Sequence, residues 1–508
     1  MFGEDDAQDL SSSSESDDRE ALEAQMFGAE EPREDANEEQ APSREDAMFG
    51  EGVGPDAGAS DRIAQALLET RDELAIGGFL FMQLGQSYSE GDTLDTIALS
   101  APNLLDVYLD ARPSERLRLY ASGRILYDYT RPVDADDTAG APSSLDDPDA
   151  TSNLLLAPGV STNARLQAQL AQLWLKFDIG QKVFFTVGRQ RIRWGSGRFW
   201  NPTDFLNQSR INPIALFDQR LGADLVRAHI PIERLGWNLY AVAMVDVASR
   251  LGQVGGALRG EFLVAGGELA LSMAVRKQEV EGPRAFEPFY EPSTIWPQEG
   301  APLKLGVDYS RGLGPFEVRV ETALTRGEQR PFYRGELVLE LPDFSLPEDY
   351  SRQDEWIVQS VVSADLTLNY ATDETLILAA EYFYNQAGYA NDDLYLWLAL
   401  QQSLTPLYLG RHYGALALLL PSPGSWNDSS FTASALGNLS DGSFLGRLDY
   451  SLRLLRDLSL NVYVMRFFGN PGEFNFRVDI PAIPGQTTAP TTFSAPRFAT
   501  GVGLRMSF

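Results

Sequence analysis

The chain closes on Arg497-Phe-Ala-Thr-Gly-Val-Gly-Leu-Arg-Met-Ser-Phe508, and this stretch decides the fold class. In an extended strand successive side chains point to opposite faces, so residues of one parity share a face. One face of this segment is mostly apolar and consists of Phe498, Thr500, Val502, Leu504, Met506 and Phe508. The other face is small or charged and consists of Arg497, Ala499, Gly501, Gly503, Arg505 and Ser507. The segment is therefore predicted to be a strand with one apolar side and an aromatic carboxyl terminus.

The composition leaves room for one large barrel or for roughly two or three ordinary soluble domains, since the chain has 508 residues. Cysteine is absent, so the sequence offers neither a disulfide framework nor a thiolate metal site. The most apolar run, Ala415–Leu420, is far shorter than the ~18 residues of a membrane-spanning helix. A helical membrane protein is thereby excluded, whereas a β-barrel is not, because lumenal residues dilute its apolar ones.

The net charge of −31 is concentrated near the amino terminus. Residues 1–60 contain 19 Asp and Glu against three Arg, a balance of −16, which leaves −15 for the rest of the chain. Such an acidic segment repels nucleic acid, so nucleic acid is not expected as a partner. Residues 1–58 are also poor in β-branched and aromatic residues, and we predict a disordered tail there.

A short apolar unit recurs three times in this tail. Its copies are Met1, Phe2 and Gly3, then Met26, Phe27 and Gly28, then Met48, Phe49 and Gly50. An apolar pair in a charged segment is a candidate motif for docking in a groove of a periplasmic protein, although a duplicated linker without function gives the same pattern. Residues 59–75 follow, with apolar residues at helical spacing, and are predicted to form a short amphipathic helix or linker.

From residue 76 to residue 508 the sequence consists of segments in which apolar and polar positions alternate. In Leu166–Phe177 the apolar parity drifts midway, which predicts a bulge or a misplaced boundary. A soluble sandwich shows the same local alternation, but connection lengths separate the two folds. Short links alternate with long polar segments here, as periplasmic turns alternate with extracellular loops in membrane barrels. We therefore predict an all-β, antiparallel, up-and-down transmembrane barrel of about 18 strands, with 16 as the alternative.

The densest group of chemistry-bearing residues contains Arg189, Arg191 and Arg193 at alternate positions. On one strand they would form a ladder of guanidinium groups about 7 Å apart. Arginine facing lipid costs ~2–4 kcal/mol near the midplane, so all three are expected to face the lumen, with Trp194 pointing outward. The break at Gly195 then begins a long loop that ends at about residue 219 and is expected to narrow the pore.

The same alternation places charged residues of other segments on the lumenal face. The candidates for lining the pore, besides the ladder, are Arg116, Arg118, Arg124, Glu317, Arg319 and Glu321. Arginines that face acids would set a transverse field that selects ions or sugar acids. The alternative is a salt-bridged lumen whose charges only hold the barrel round.

The sequence around the ladder resembles a known group of proteins. Its Gly188-Arg-Gln190, Trp194-Gly195 and Asn201-Pro-Thr-Asp204 resemble substrate-selective porins of the bacterial outer membrane, including alginate-export-like and phosphate-selective porin-like families. The terminal strand resembles the closing strand of outer-membrane barrels, whose final Phe is read by the barrel-assembly machinery. The resemblance implies a Gram-negative outer-membrane location, outer-membrane lipid and the assembly machinery as partners, and Phe508 as the assembly signal.

No signal peptide is visible in the chain, which lacks a basic start, an apolar core and a cleavage site. If Met1 is a start assigned at an internal Met-Phe-Gly unit, a signal and further repeats lie upstream of this sequence. The upstream reading frame of the gene tests this hypothesis.

An enzymatic function finds little support in the sequence, because His229 and His412 have no nucleophile or acid at a suitable spacing. Zinc spacings, phosphate loops and nucleotide fingerprints are absent, so we expect no catalysis, cofactor or metal. The expected function is diffusion of small polar or charged solutes through a porin-like channel. The alternative is a plugged barrel that anchors a periplasmic envelope machine through the Met-Phe-Gly units. A soluble, secreted, carbohydrate-binding β-protein is a third class.

Overall fold

A computed structural model describes the chain from Leu74 to Phe508 with gaps. The residues outside the description are 1–73, 90, 94–96, 115, 132–164, 208, 216–219, 246–249, 281, 284–289, 291, 294–295, 339–343, 371–373, 402 and 481–490. The acidic tail, its Met-Phe-Gly units and nearly all of the helix expected at 59–75 therefore lie outside the described residues. The statements about them stay predictions.

Eighteen antiparallel strands form the wall of a barrel, which confirms the predicted fold class and count. In chain order they are β1 (Leu74–Tyr88), β2 (Pro102–Ser114), β3 (Leu117–Asp128), β4 (Leu166–Ile179), β5 (Val183–Gln190), β6 (Ala223–Ile232), β7 (Trp237–Met244), β8 (Gly255–Val264), β9 (Gly267–Val275), β10 (Leu303–Leu313), β11 (Phe316–Arg326), β12 (Trp356–Asn369), β13 (Thr375–Asn385), β14 (His412–Pro421), β15 (Ser429–Asn438), β16 (Ser443–Leu455), β17 (Leu458–Gly469) and β18 (Phe498–Ser507). A short strand, Ala98–Ser100, adds to the same sheet by pairing with the end of β1.

The barrel closes between its first and last strands. β18 pairs antiparallel with β1, from Phe79 opposite Ser507 to Tyr88 opposite Phe498, and with β17 on its other side. Phe508 also exchanges two backbone hydrogen bonds with Gly78, at 2.9 and 3.0 Å. The terminal segment is therefore a closing strand, and no strand edge of the wall is left unpaired at this seam.

Side chains of the wall alternate between an exposed outer face and a buried inner face. In β18, Val502 and Met506 are exposed, whereas Gly503 and Arg505 are buried. Exposed apolar residues continue around the middle of the wall and include Val226, Leu258, Leu271, Val307, Val362, Leu416, Leu448 and Val464. Soluble monomers rarely expose so continuous an apolar surface, so the outer face of this wall is the one that contacts lipid.

Outward aromatic side chains gather at the two ends of this apolar band. Near the tight turns lie the ring pairs Phe177–Phe185, Trp237–Phe262 and Phe431–Tyr450. Near the long loops lie Tyr382 and Tyr384 beside His412, and Phe444 on Phe468. An apolar band between two aromatic belts is characteristic of a transmembrane β-barrel, in which tight turns face the periplasm.

Short and long connections alternate, as the sequence predicted. Tight turns join Ile179 to Val183 and Val264 to Gly267, for example, and the loop side has one exception in the short connection 439–442. The drift of parity in β4 is a bulge, since the register between β3 and β4 shifts between Ser122 and Gly123.

Smaller elements lie outside the wall. They are the strand pairs Gln278–Val280 with Gln298–Gly300, Phe332–Arg334 with Glu348–Tyr350, and Arg477–Ile480 with Thr491–Ser494, together with the helix α1 (Tyr395–Leu400) and the 3-10 helices Glu233–Leu235 and Leu251–Gln253. Across the described part of the chain, no helix combines the length and the apolar character required to cross a membrane.

Candidate functional site

The connection between β5 and β6 has its described residues, 191–207, 209–215 and 220–222, inside the barrel, and we call these residues the inner loop. Its side chains Trp194, Trp200 and Leu206 are fully buried. Trp194 lies beneath the guanidinium group of Arg259, a lumenal residue of β8, with 5.6 Å between the guanidinium carbon and the ring centre. The segment therefore occupies the lumen and packs against the inner face of the wall.

A carboxyl group of β11 holds the first turn of the inner loop. Glu321 is 0 % exposed, and one of its oxygens accepts the backbone N–H groups of Ser196 at 2.9 Å and Gly197 at 3.1 Å. Its other oxygen accepts the backbone N–H of Thr203 at 2.7 Å and the Thr203 hydroxyl at 2.8 Å. A Cβ atom at Gly195, whose φ is +94°, would meet this carboxyl group at 2.7 Å, so the close approach requires glycine.

A second carboxyl group, on β13, holds the next residues of the inner loop. Glu381 accepts the backbone N–H groups of Arg198 at 2.7 Å, Phe199 at 3.0 Å and Trp200 at 2.8 Å. The Arg198 side chain in turn donates to Asp365 of β12 at 2.7 Å. Three successive amides on one carboxylate form an anion-binding turn, here filled by a side chain of the wall.

The inner loop also reaches beyond this attachment. Arg276, which follows β9, donates to the carbonyl of Leu206 at 2.8 Å, and Arg447 of β16 donates to the carbonyl of Ile214. The strands β11, β13 and β16 belong to the half of the barrel opposite β5. The inner loop therefore crosses the lumen and contacts the wall from β8 to β16.

Aromatic side chains fasten the middle of the inner loop to the extracellular half of the barrel. Trp200 packs against Phe383 and Tyr413, with 5.5 Å between ring centres in each case. Its indole N–H donates to the carbonyl of Leu407 at 3.0 Å. Polar and apolar contacts thus combine to give the inner loop one position.

Most charges on the lumenal face of the wall are in ion pairs, either within one strand or between strands. Arg124 lies 3.0 Å from Asp106, and Arg118 lies 2.9 Å from Asp110. The other lumenal groups are Arg259 with Glu261 and Asp308, Arg319 with Glu317 and Asp365, and Arg447 with Asp449. Breaking a buried pair leaves an uncompensated charge, so loss of one partner would destabilise the wall. This arrangement fits a salt-bridged lumen whose charges hold the barrel round.

The residues predicted to line the pore take different positions. Arg118 and Arg124 on β3, and Glu317, Arg319 and Glu321 on β11, lie on the lumenal face. Arg116 is exposed in the tight turn that precedes β3. Of the lumenal five, Glu321 is bonded to the inner loop and the other four are in ion pairs.

The predicted arginine ladder is wrong in its first member. Arg189 has the same parity as the outward-facing Val187, lies beside the exposed Leu173 and pairs with Asp224 at 2.6 Å, with the two side chains 32 % and 34 % exposed. Arg189 therefore faces outward. The prediction assumed that Arg189 would be an isolated charge near the membrane midplane. Instead it lies near the end of the short strand β5, where Asp224 on β6 neutralises it.

The other two arginines are not on a strand at all, because β5 ends at Gln190. Arg191 donates to the carbonyl of Arg220 at 3.1 Å, and Arg193 donates to the carbonyl of Gly197 at 2.6 Å, both within the inner loop. Trp194 was predicted to point outward, which is wrong, since the turn of the chain into the lumen buries it. The three arginines thus share no common face.

Basic residues remain on the extracellular side of the inner loop. Lys304, at the start of β10, lies opposite Ala274 and so diagonally next to Arg276. Arg210 and Arg330 also lie close enough to repel it, with Glu328 as the opposing acid. Among the described residues, Lys304, Arg210 and Arg330 form no ion pair with a carboxylate. The uncompensated charge at this level is positive.

Sequence reasoning missed the residues that hold the inner loop. Arg198 was not a candidate, and the lumenal acid Glu321 was expected to face solutes rather than backbone amides. The one available signal was the Gly195-Ser-Gly197 sequence, whose exposed amides need an acceptor.

No protein-family model and no curated protein sequence matches the chain. Its structure is similar to a doubly substituted variant of the Rh. blastica porin, which is 11% identical, with 86% of this chain and 100% of that chain covered and a TM-score of 0.37. It is also similar to OprB of Pseudomonas putida at high pH, which is 10% identical, with 90% and 98% covered and a TM-score of 0.43. An outer-membrane protein of Vibrio cholerae, OmpT without its loop L8, is 8% identical, with 86% and 100% covered and a TM-score of 0.34.

Proposed function

We propose that the protein is a non-enzymatic channel of the Gram-negative outer membrane, through which small polar or charged solutes diffuse passively. The observation that carries this proposal is the inner loop, which lies inside the barrel and is attached at Glu321 and Glu381. A loop that sets the width of a pore must be rigid, and backbone amides bound to wall carboxylates provide that rigidity. A loop that only covered the mouth would need no such attachment.

The passage lies between the inner loop and the sector of the wall from β17 through β1 to β4. Arg191 of the inner loop acts there as a selectivity residue, because it is close enough to the lumenal Tyr120 to interact with it electrostatically. Arg118 and Arg124 line the same sector with their charges balanced by acids. Selectivity therefore resides mainly in the inner loop.

The solutes favoured are small anions and neutral polar molecules. Lumenal acids are bound to arginines or to backbone amides, whereas Lys304, Arg210 and Arg330 keep an uncompensated positive charge. A group of basic residues at close quarters raises the local concentration of anions. Because salt screens this effect, it should be strongest at low ionic strength.

Planar-bilayer recording of the purified, folded protein tests the proposal. We expect stepwise currents that vary linearly with voltage, and a reversal potential in a salt gradient with the sign of anion preference. Boiled protein in the same detergent is the control. A folded barrel that opens no channel would refute the proposal and favour the structural role, in which the tail anchors a periplasmic machine.

The partners remain part of the proposal. Outer-membrane lipid contacts the apolar band, the assembly machinery reads Phe508, which is exposed on the outer face, and a periplasmic protein binds the Met-Phe-Gly units.

A further inference from the structure

A buried carboxyl group lies behind the inner loop, in a connection that is not part of the barrel wall. Glu473 belongs to the connection between β17 and β18 and is 2 % exposed. One of its oxygens accepts the backbone N–H of Leu407. The other accepts the Tyr413 hydroxyl at 2.6 Å and the Asn438 side-chain amide at 3.0 Å. Glu473 therefore ties the connection that contains Leu407 to the extracellular ends of β14 and β15.

Leu407 joins Glu473 to the inner loop. Its N–H is bound by Glu473, and its carbonyl accepts the indole N–H of Trp200 at 3.0 Å. The φ of Leu407 is +67°, a left-handed conformation that a leucine adopts only when its surroundings impose it. The following residue, Tyr408, lies under the guanidinium group of Arg210, 3.6 Å from the ring centre. Two adjacent residues thus hold two points of the inner loop.

Glu473 has polar neighbours on every side but no cation. They are Tyr413 on β14, Asn438 on β15, Asp441 in the following turn, which accepts the Glu473 backbone N–H at 3.0 Å, and Tyr395 on α1. Within the described residues, Glu473 forms no ion pair. Burial without a cation raises the pKa of Glu473 to about 8, and the hydrogen bonds from Tyr413 and Leu407 offset only part of this effect.

The direction of the pH effect depends on whether Glu473 holds its proton more tightly when it is buried or when it reaches water. A glutamate in water titrates at about 4.3, well below the pKa in the buried position. The buried arrangement therefore prefers the protonated form, and its stabilisation is fully present at low pH and is lost as the pH rises through about 8. Ionisation favours any arrangement in which Glu473 reaches water.

We infer that Glu473 is a positioning residue for the inner loop, which it holds through Leu407 and Trp200 and releases when its carboxyl group ionises. This inference rests on the proposed channel function for its consequence, because a released inner loop changes the width of the passage. The contacts themselves do not depend on that function.

Spin-label mobility tests the inference without requiring conduction. The chain has no cysteine, so Ser209→Cys provides a single labelling site at an exposed position next to Arg210. In the full-length protein in detergent, we expect the mobile fraction of the label to rise with a midpoint near pH 8. In Glu473→Gln, which is neutral and keeps an acceptor for Leu407, the label should stay immobile from pH 6 to pH 9.5. In Glu473→Ala it should be mobile throughout.

Glu336→Gln, at an exposed loop position, is the matched control, and its label should show the same pH transition as in the unchanged chain. A pH transition that persists in Glu473→Gln would overturn the inference. If Glu473→Ala fails to fold, as judged by heat-modifiable migration, the comparison with Glu473→Gln still decides. Bilayer recordings of the same proteins separate the two proposals, since absence of channels refutes the proposed function while the label reports on Glu473 independently.

Discussion

Removal of Glu381 measures how firmly the inner loop is attached. The carboxylate accepts three successive backbone N–H groups, at 2.7, 3.0 and 2.8 Å, and is buried. A hydrogen bond to a charged group contributes about 1.5–3 kcal/mol, and water that enters the lumen recovers part of the loss. For Glu381→Ala we expect the local free energy of opening to fall by about 3–5 kcal/mol. Since about 1.4 kcal/mol is tenfold, this corresponds to roughly 10²–10⁴ in an opening equilibrium.

Hydrogen exchange of the amides of residues 198–200, followed by mass spectrometry on the folded barrel, reports that equilibrium. Glu381→Gln should give a smaller acceleration, about 10- to 100-fold. Its amide oxygen can still accept from Phe199 and Trp200, whereas the bond from Arg198 and the charge are lost. Glu336→Ala, at an exposed loop position, should leave exchange unchanged. Equal protection in Glu381→Ala and the unchanged chain would refute the claim that this carboxylate holds the inner loop.

Further predictions concern the wall, its assembly, selectivity and the tail. Unboiled protein should migrate differently from boiled protein on a denaturing gel, because a closed barrel satisfies its backbone groups between strands and resists detergent. Replacing Phe508 by Asp should sharply lower the amount of protein in the outer membrane, and unchanged levels would remove its role as an assembly signal. Replacing both Arg191 and Arg193 by Gln should shift the reversal potential in a salt gradient toward cation preference. Arg189→Gln, which alters an outward-facing residue, should leave it unchanged. Changing the Phe of all three Met-Phe-Gly units to Ala should preserve conductance and abolish recovery of a periplasmic partner by co-purification.

The wall was predictable from the sequence because its signal is local. Alternation in segments such as β18 shows directly which residues share a face. The lengths of the connections show which end of each strand leads into a tight turn. The count of strands follows from these two signals. Long connections that contain short strand pairs, such as Phe332–Arg334 with Glu348–Tyr350, are harder to assign from sequence, because a brief alternation looks the same in a loop and in the wall.

The inner loop was only partly predictable, because its position depends on partners that are distant in sequence. Thr203 and Glu321 are 118 residues apart, and no periodicity relates them. The positions of Arg191 and Arg193 were misjudged because the end of β5 at Gln190 leaves no mark in the pattern. Gly188 is a further reason, since its φ of +121° departs from a regular strand and a Cβ there would meet the Leu173 carbonyl oxygen at 2.2 Å.

The path of the inner loop constrains the order in which the molecule can form. The side chains of β11, β13 and β16 that hold the inner loop lie far from it in the chain, at separations from 118 residues for Thr203 to 233 for Ile214. Hairpins between neighbouring strands are local and form fast, whereas these contacts and the β1–β18 seam must bring distant segments together and form slowly. The inner loop should therefore reach its final position late, after the strands of the second half of the wall have come together.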